Sequence, residues 1–572
     1  MNKTDIKCNI FDKIKAMEFS KKDIKYLILL FLFFGANILV FGDHITNLYM
    51  DMGREFYFPL SMLNGEVLYK DIFNIFGPFA YLFNTLLFKL FGVSFSVIYD
   101  FAVLNSLLIV FLTYVLSKRF LDRFSSFSIT LLCIFAGCHS LGFSTYFLPY
   151  TYAIVYGTTF ALLSIILFLE FFDNGKKLFL HLSFLMSGFA VSNKYEFFVL
   201  PVLLFAMLFW CKRQDLKTYL LGFVLSCAPI VLMFLFLFAQ GLNVADLVRY
   251  LHLLIAYAKS TPLKILYLNI GVYPSFVTIK TCLGAIAVFA LTLSALFGCF
   301  KIKKIGFRAA ALTAACAGIF LGDILYSLNN LFVGISVLNT VLALLFVKKI
   351  IKRPDFLFLV CAALFLSLKS YWKMIAFGGY GLFVINLNLI VLLYIMSEFA
   401  FATEENRTIF KKAFCTNLFI VMVLALVVHL NVFSQTKAKV QTQNASFYTT
   451  PSAKLEFEEI TAFIKNNVKN DESVIILPEG LFMNFAVGAK SDNYFNIFTP
   501  DRADAYKQEK IIEHYKKTKP DYFILIDSDY ILYGTPYICK DFAQRLCRYV
   551  GENYRLEKAV KYERSLLMFK KI

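Results

Sequence analysis

Apolar segments of membrane-spanning length recur from about residue 25 to residue 434, and they constrain the fold more than any other feature. Each approaches the roughly 20 helical residues that cross a hydrocarbon core about 30 Å thick. Segments that cross lipid must satisfy their own backbone hydrogen bonds, so these runs predict helices. Apolar residues make up 59% of the chain, which excludes the soluble classes. We therefore predict an all-α polytopic membrane protein.

The pattern predicts thirteen membrane helices. They cover about residues 25–42, 94–117, 126–143, 150–172, 178–192, 197–211, 218–239, 275–299, 309–327, 330–347, 356–369, 377–398 and 413–434. A single helix over residues 178–211 would be about 50 Å long at about 1.5 Å per residue, which is too long for the bilayer. We therefore predict a break at the polar sequence SNKYE, around Lys194.

The net charge of +18 comes largely from Lys and Arg residues in short connectors between alternate apolar runs. With thirteen helices, the basic connectors KRFLDRFSS, CKRQDLK and KIKKIGFR all fall on one side, which the positive-inside rule assigns to the cytoplasm. The N-terminus is then inside and the residues after 434 are outside. Because the basic residues serve topology, nucleic acid is not an expected partner.

The chain divides into two predicted domains. Residues 1–434 form the transmembrane catalytic domain, with long outer loops at about 43–93 and 240–274. Residues 435–572 are polar and alternate between β-patterns at 473–477, 522–527 and 565–569 and amphipathic patterns at 453–468, 508–517 and 541–549. This alternation predicts a small extracytoplasmic α/β domain.

The twelve cysteines show no paired metal spacing and are mostly expected to pack within the spans. Cys539 and Cys547 lie in the polar tail. On one helix they would be about 12 Å apart at about 1.5 Å per residue, too far to form a disulfide. We predict that they are unbridged.

The first outer loop carries the acidic residues that point most directly to chemistry. Asp51 and Glu55 are four residues apart, so a helix would place both on one face with Arg54 beside them. A carboxylate at the outer surface serves well as a general base, and Asp51 is the candidate. Glu55 or Asp71 would orient the acceptor or support the base. The alternative is an amphipathic surface helix whose charges are solvated, with Phe56 and other apolar residues towards the membrane.

Several cations are candidates for holding a substrate phosphate. Lys194 and Glu196 lie between two short apolar runs, where a charge is costly and is often functional. Lys369 and Lys373 follow another short run, and Arg249 lies in the second outer loop. A lysine there would bind phosphate as a point charge and stabilise it as it leaves. The alternative for each lysine is snorkelling to the interface.

Other candidates are weaker. His44 and His139 are isolated, and such histidines are more often packing residues than ligands. Acidic residues in the tail could line a rim of the site: Glu479, Asp492, Asp501, Asp527 and Asp529. Since HExxH, Walker, GxSxG and CxxC motifs are absent from the sequence, metalloprotease, nucleotide-hydrolase and serine-hydrolase functions lack residue support, and no metal ligand is assigned.

The order of motifs resembles the GT-C superfamily of integral-membrane glycosyltransferases. The resemblance lies in an acidic motif after the first span, in GEVLYKDIF and NIFGPFAY, and in GFAVSNKYEFFVLP several spans later. Within the superfamily, the chain is similar to the branch with the protein O-mannosyltransferases and the bacterial aminoarabinose transferases of lipid A. The resemblance covers the membrane region and includes the thirteen spans with an outward C-terminal domain.

The resemblance implies transfer of a sugar from a polyprenyl-phosphate carrier to an acceptor on the outer face. The catalytic Asp of the family falls on Asp51, and its outer-face Lys falls on Lys194, which would bind phosphate. Many members have adjacent Asp-Glu, whereas Met52 to Arg54 separate Asp51 from Glu55 here. This departure leaves the role of Glu55 open and keeps Asp43 as a lesser candidate for the base.

The functional hypothesis is an inverting membrane glycosyltransferase, hexosyl or pentosyl, in the cell envelope at a plasma membrane of bacterial type. Its partners would be the lipid-linked donor, a lipid, glycan or protein acceptor, and membrane lipids. A cofactor is not required, although some superfamily members use a divalent cation. The main alternative is a transporter or flippase, which would need ionisable residues at mid-membrane depth, such as Asp323. A non-catalytic scaffold is the third possibility.

Overall fold

The structure is a computed structural model of the 572-residue chain. It describes residues 19–45, 51–138, 145–211, 213–269, 273, 275–327, 333–368, 381–401, 403–492, 494–495 and 497–572. His139, Lys369 and Lys373 lie outside the described residues.

The first part of the chain is helical. Its helices are α1 (Lys21–Phe41), α2 (Met52–Leu63), α3 (Phe79–Phe91), α4 (Phe95–Phe120), α5 (Arg123–Cys138), α6 (Tyr152–Asn174), α7 (Lys177–Asn193), α8 (Val199–Cys211), α9 (Leu216–Ala239), α10 (Val244–Lys259), α11 (Thr261–Asn269), α12 (Phe276–Cys299), α13 (Ile305–Ser327), α14 (Val333–Leu345), α15 (Val347–Ile350), α16 (Pro354–Leu366), α17 (Ile385–Tyr394) and α18 (Glu404–Gln435). A described helix overlaps each of the thirteen predicted apolar segments. The first outer loop is not a loop throughout, because α2 and α3 fold within it.

Four of the described helices, α1, α4, α6 and α9, are long and apolar enough by themselves to cross a membrane. Shorter apolar stretches of 10–17 residues lie in eight further helices. The helical membrane architecture therefore agrees with the sequence pattern, while the total of thirteen crossings and their direction stay predictions.

The predicted break after α7 is present. The helix ends at Asn193, and Lys194 is extended, with φ −149° and ψ 124°. A single 3₁₀ turn, Tyr195–Phe198, then leads into α8. Because the polar residues end one helix before the next begins, the Lys194 side chain lies at a helix end.

The C-terminal region contains β1 (Ala438–Gln441), β2 (Ser446–Thr449), α19 (Pro451–Asn467), β3 (Val474–Leu477), α20 (Leu481–Val487), α21 (Pro500–Tyr506), α22 (Gln508–Thr518), β4 (Tyr522–Ile526), α23 (Gln544–Asn553), β5 (Tyr554–Lys561) and β6 (Ser565–Lys571). Four strands form one sheet in the order β3-β4-β6-β5, with β3 parallel to β4 and the other neighbours antiparallel. The predicted α/β class is confirmed. Strand β5 was not predicted, because it is a charged edge strand whose residues, apart from Tyr554, are largely exposed.

The C-terminal region is built directly onto the first outer loop. The Ile45 amide donates to the Tyr448 carbonyl at 2.8 Å, and the Tyr448 amide donates to the Asp43 carbonyl at 2.9 Å. The Ser491 amide donates to the Tyr57 hydroxyl at 2.6 Å. These bonds fix the two regions against each other at several points.

The prediction that Cys539 and Cys547 are unbridged is wrong. The two residues form a disulfide, with their Cα atoms 5.5 Å apart. The prediction assumed one helix across both positions, but α23 begins only at Gln544. Cys539 lies in the preceding turn, with φ +68°, so the chain folds back and brings the sulfur atoms together.

Candidate active site

Asp51 immediately precedes α2, and Arg54 and Glu55 lie in the first turn of that helix. The Arg54 guanidinium bridges the two acids, with Nη2 2.8 Å from Asp51 Oδ1 and Nε 3.1 Å from Glu55 Oε1. The exposed fraction of the side chain is 31% for Asp51, 6% for Arg54 and 1% for Glu55. The alternative of a surface helix with solvated charges is therefore wrong, and Asp51 is the accessible group of the three.

Glu55 is held by partners on both carboxylate oxygens. The Tyr81 hydroxyl donates to Oε1 at 2.7 Å, and the Tyr152 amide donates to Oε2 at 2.8 Å. Burial raises the pKa of the Glu55 carboxyl, and the charge of Arg54 and these hydrogen bonds oppose the rise. Glu55 thus lies behind Arg54 and orients it.

Burial disfavours the charge of Arg54, but the neighbouring Asp51, Tyr81 and Glu55 outweigh that effect. Their net influence raises the pKa of the guanidinium. Arg54 is therefore a permanent buried cation beside Asp51.

Tyr150 and Phe76 link the two distant sequence motifs. Arg54 Nη2 donates to the Tyr150 carbonyl at 2.7 Å, and Lys194 Nζ donates to the Tyr150 hydroxyl at 2.5 Å. Both cations also lie near the Phe76 ring, with Arg54 Cζ 4.9 Å and Lys194 Nζ 5.9 Å from its centroid. The side chain of Lys194 is 6% exposed, so its charge lies inside the protein and not at the interface, where snorkelling would place it.

A close backbone approach holds the motifs NIFGPFAY and SNKYE together. The Gly77 amide donates to the Asn193 carbonyl at 2.9 Å. A Cβ at Gly77 would lie 2.1 Å from the Ser192 carbonyl oxygen, so this position accepts only glycine. The loop and the end of α7 are therefore locked in contact next to Lys194.

Lys194 and Glu196 form an ion pair at 2.7 Å at one end of an apolar cavity. The cavity has a volume of about 220 Å³ and lies among α6, α16, α17 and the turn before α8. Glu196 lines it together with apolar side chains that include Ile154, Leu162, Phe197, Phe365 and Leu387. The ion pair and the apolar cavity therefore place a polar environment for a charged group next to an apolar one for a hydrocarbon chain.

The C-terminal region adds Glu479 to the group around Asp51. Glu479 is 8% exposed and accepts a hydrogen bond from the Tyr530 hydroxyl at 3.1 Å. Burial and the negative charge of Asp51 together raise the pKa of Glu479 to about 8. By its position in the sequence alone, Glu479 is only a weak candidate for the rim of the site.

Arg502, on α21, is a further buried cation, 5% exposed, and is not among the residues predicted from the sequence. Its guanidinium lies 5.9 Å from the Phe73 ring centroid and interacts electrostatically with Arg54 and Tyr257. Burial disfavours the charge of this guanidinium, and neighbouring Tyr506 and Asp501 favour it. The signal in the sequence is a short run of charged residues, Asp501, Arg502 and Asp504, in the C-terminal region.

Asp71 and Arg249 line a different feature, an open cleft of about 1450 Å³ between the first outer loop, α10 and the C-terminal region. Asp71 Oδ2 accepts the Val67 amide at 2.9 Å and so closes a turn. Arg249 Nη2 donates to the Lys70 carbonyl at 2.7 Å and pairs with Asp246 at 3.3 Å. The structure therefore separates these two predicted site residues from the Asp51 and Lys194 group.

Asp492 and Asp529, two of the tail acids, and His44 have other partners. Asp492 pairs with His514 at the cleft, and Asp529 caps the backbone of Ile531. His44 hydrogen-bonds Thr436 at 2.8 Å and is a packing residue. Within the described part of the chain, His, Cys, Asp and Glu side chains form no group of three or more that could hold a metal ion.

Solved structures of membrane enzymes resemble the chain. The archaeal oligosaccharyltransferase AglB from Archaeoglobus fulgidus, in complex with an inhibitory peptide and a dolichol-phosphate, aligns over 90% of this chain and 71% of its own, with TM-score 0.51 and 11% identity. ArnT from Cupriavidus metallidurans bound to undecaprenyl phosphate aligns over 96% of this chain and 98% of its own, with TM-score 0.44 and 10% identity. Family models and curated proteins give no match to the sequence. The likeness to AglB shows that the two chains share a fold.

Proposed function

We propose that this chain is a membrane glycosyltransferase that moves a hexosyl or pentosyl group from a polyprenyl-phosphate carrier to an acceptor on the extracytoplasmic face. The acceptor is a lipid, a glycan or a protein. The observation that carries the proposal is the meeting of Arg54 and Lys194 around Tyr150 and Phe76, with Asp51 held by Arg54. A partly exposed carboxylate and a buried cation on one fold are what a base and a phosphate ligand require.

The apolar cavity beside Lys194 supports a lipid-linked donor. An isoprenoid chain would lie among the side chains of α6, α16 and α17, while its phosphate would lie at Lys194. The similar fold of AglB, whose structure contains a dolichol-phosphate, fits the same class of donor. On binding, the phosphate would replace Glu196 as the ion-pair partner of Lys194, and the Glu196 carboxylate would move away from it.

The reaction is a single displacement. Asp51 takes the proton of an acceptor hydroxyl or amine as that atom attacks the anomeric carbon. The bond between this carbon and the phosphate oxygen breaks, and the electron pair leaves with the phosphate, whose added charge Lys194 stabilises. Attack from the face opposite the leaving phosphate inverts the configuration.

Arg54 and Glu55 keep the base in place. Glu55 is anchored by Tyr81 and Tyr152, and it fixes Arg54, which holds Asp51 at 2.8 Å. The acceptor approaches from the cleft lined by Asp71 and Arg249, where exposed charges of both signs suit a polar molecule. In this proposal both residues bind the acceptor before it reaches Asp51.

The base is tested by Asp51→Asn with Asp43→Asn as the matched control, because Asp43 is a nearby acid of the same loop. We expect Asp51→Asn to lower transfer at least about a hundredfold, as loss of a general base does, while the protein remains inserted. The readout is mass spectrometry of envelope lipids and glycans from cells expressing each variant. Full modification by Asp51→Asn would overturn the assignment, and loss only in Asp43→Asn would transfer the role to Asp43.

The donor is tested with undecaprenyl phosphate and undecaprenol as paired probes in native mass spectrometry of the detergent-solubilised protein. We expect the phosphate to bind more tightly than the alcohol in the wild type. Lys194→Ala should remove this difference and leave binding of the alcohol unchanged. Equal binding of both lipids to the wild type would contradict a phosphate site.

The transporter alternative requires ionisable groups deep in the membrane. The buried polar contacts that join α14 and α17 instead use neutral amides, with Asn339 Nδ2 donating to Asn388 Oδ1 at 3.0 Å. Asn388 Nδ2 in turn donates to Ser367 Oγ at 2.9 Å. Such contacts favour helix packing over ion or proton transport.

The Cys539–Cys547 disulfide favours an extracytoplasmic C-terminal region, because disulfides persist in oxidising compartments. Reporter fusions after Gln435 test this orientation. Activity of a periplasmic or extracellular reporter is expected, and activity of a cytoplasmic one would overturn the thirteen-helix topology.

A further inference from the structure

Glu479 is a buried carboxyl group that the C-terminal region brings to the Asp51 site. It lies between β3 and α20, and its side chain is packed against Tyr530, whose hydroxyl donates to Oε2. Strand β3, which ends just before Glu479, is fully buried and pairs with β4. The position of this acid is therefore set by the fold of the C-terminal region.

A close contact between two helices fixes Glu479 relative to Asp51. A Cβ at Gly53 would lie 2.7 Å from both Leu481 Cβ and the Phe482 amide nitrogen. Asp51 is two residues before Gly53, and Glu479 is two residues before Leu481. The two carboxyl groups therefore lie at adjoining ends of α2 and α20.

Charged and titratable groups on several elements interact with Glu479. Asp51 and Arg54 face it from the start of α2, and Arg502 faces it from α21. Tyr530 contacts it directly, and Tyr533 from the same turn interacts with both Glu479 and Asp51. Burial and the negative charge of Asp51 both favour the protonated form of Glu479.

We propose that Glu479 is a positioning residue that works in its protonated form, so that Asp51 alone of this pair carries the charge that receives the acceptor proton. The inference rests on the proposed function and adds the C-terminal region to the reaction. A protonated Glu479 leaves the cationic group of Arg54 and Arg502 undiminished towards the anionic donor. Ionised Glu479 would place a second negative charge there and repel the donor phosphate.

The first test is the pH dependence of transfer. Since the pKa of Glu479 lies near 8, its protonated fraction falls about tenfold between pH 7 and pH 9, and the rate should fall in parallel. Glu479→Gln fixes the neutral form and should abolish this alkaline decline. The matched control is Glu456→Gln, which changes another buried acid of the C-terminal region that accepts the Arg564 amide, away from Asp51. Glu456→Gln should keep the decline.

The second test does not depend on activity. Infrared difference spectra of the purified full-length protein should contain a protonated carboxyl band that disappears with a midpoint near pH 8 and is absent in Glu479→Gln. Tyr530→Phe removes a hydrogen bond that stabilises the ionised form, so the midpoint should move to higher pH. Asp51→Asn removes the neighbouring negative charge, so the midpoint should move to lower pH.

The outcomes separate the two proposals. A Glu479 midpoint below about pH 5, the range of an unperturbed glutamate, overturns the inference whatever the protein catalyses. An alkaline decline that persists in Glu479→Gln also overturns it. Correct infrared shifts together with full transfer by Asp51→Asn would instead overturn the proposed function and leave the carboxyl coupling intact.

Discussion

The Asp51 site and the Asp71 cleft are both built from the first outer loop, but most charged side chains are buried in the first and exposed in the second. Around Asp51, the buried groups Arg54 and Glu55 each have partners, and most charged atoms are removed from water. Around Asp71, the cleft is open, and Arg249 is half exposed and pairs with Asp246. Since buried charges interact far more strongly than exposed ones, the first region suits bond breaking and the second suits reversible recognition.

Removing one arginine from each region should give the largest contrast. Arg54→Ala leaves buried Glu55 without its cation, and we expect a loss of about 3–5 kcal/mol in the free energy of unfolding. Arg249→Ala removes an exposed pair and should cost about 1 kcal/mol or less. Thermal unfolding of both variants in the same detergent measures the difference. Equal losses would contradict the contrast between the two regions.

A smaller effect is expected when the contact that joins the C-terminal region to the Asp51 site is disturbed. Gly53→Ala places a methyl group against Leu481 and should cost about 1–3 kcal/mol through overpacking. Gly35→Ala, in α1, meets no atom within 4 Å and is the matched control. Limited proteolysis near residue 435 should cut Gly53→Ala faster than the control. Equal protection would show that α20 tolerates displacement.

The pH dependence of stability sharpens the comparison further. The folded protein keeps a proton on Glu479 that the unfolded chain releases near its ordinary pKa of 4.5, so wild-type stability falls as pH rises from there towards 8. Glu479→Gln removes this dependence and should raise the melting temperature more at pH 8 than at pH 5. A gain that is equal at both values would argue against a raised pKa.

The smallest effect is expected for Asp71→Asn. The amide oxygen of asparagine can still accept the Val67 amide, so the turn remains, and the loss should be about 1 kcal/mol or less. Transfer should weaken through a higher KM for the acceptor, with kcat little changed, because the residue binds and does not react. Loss of kcat equal to that of Asp51→Asn would move Asp71 into the chemistry.

Local patterns were enough for much of the fold. The apolar runs predicted the membrane helices, and the β-patterns in the polar C-terminal region predicted β3, β4 and β6. The break at Lys194 followed from the length of a helix that the bilayer accepts. The disulfide was missed, because a turn at positive φ before α23 has no reliable pattern in the surrounding residues.

The sequence by itself determined the membrane class, the α/β tail, and the presence of Asp51, Arg54 and Lys194 in polar intervals of an apolar chain. It could not separate Asp71 from Asp51, since both lie in one loop and have the same chemistry. Only the tertiary structure showed that Arg54 bridges Asp51 and Glu55. It also showed that Tyr150 joins Arg54 to Lys194. Glu479 and Arg502, which are distant in sequence, lie near this group because the C-terminal region packs against the first outer loop. The physical reason is that helix and strand formation depends on neighbours along the chain, whereas burial and charge coupling depend on groups brought together only by packing.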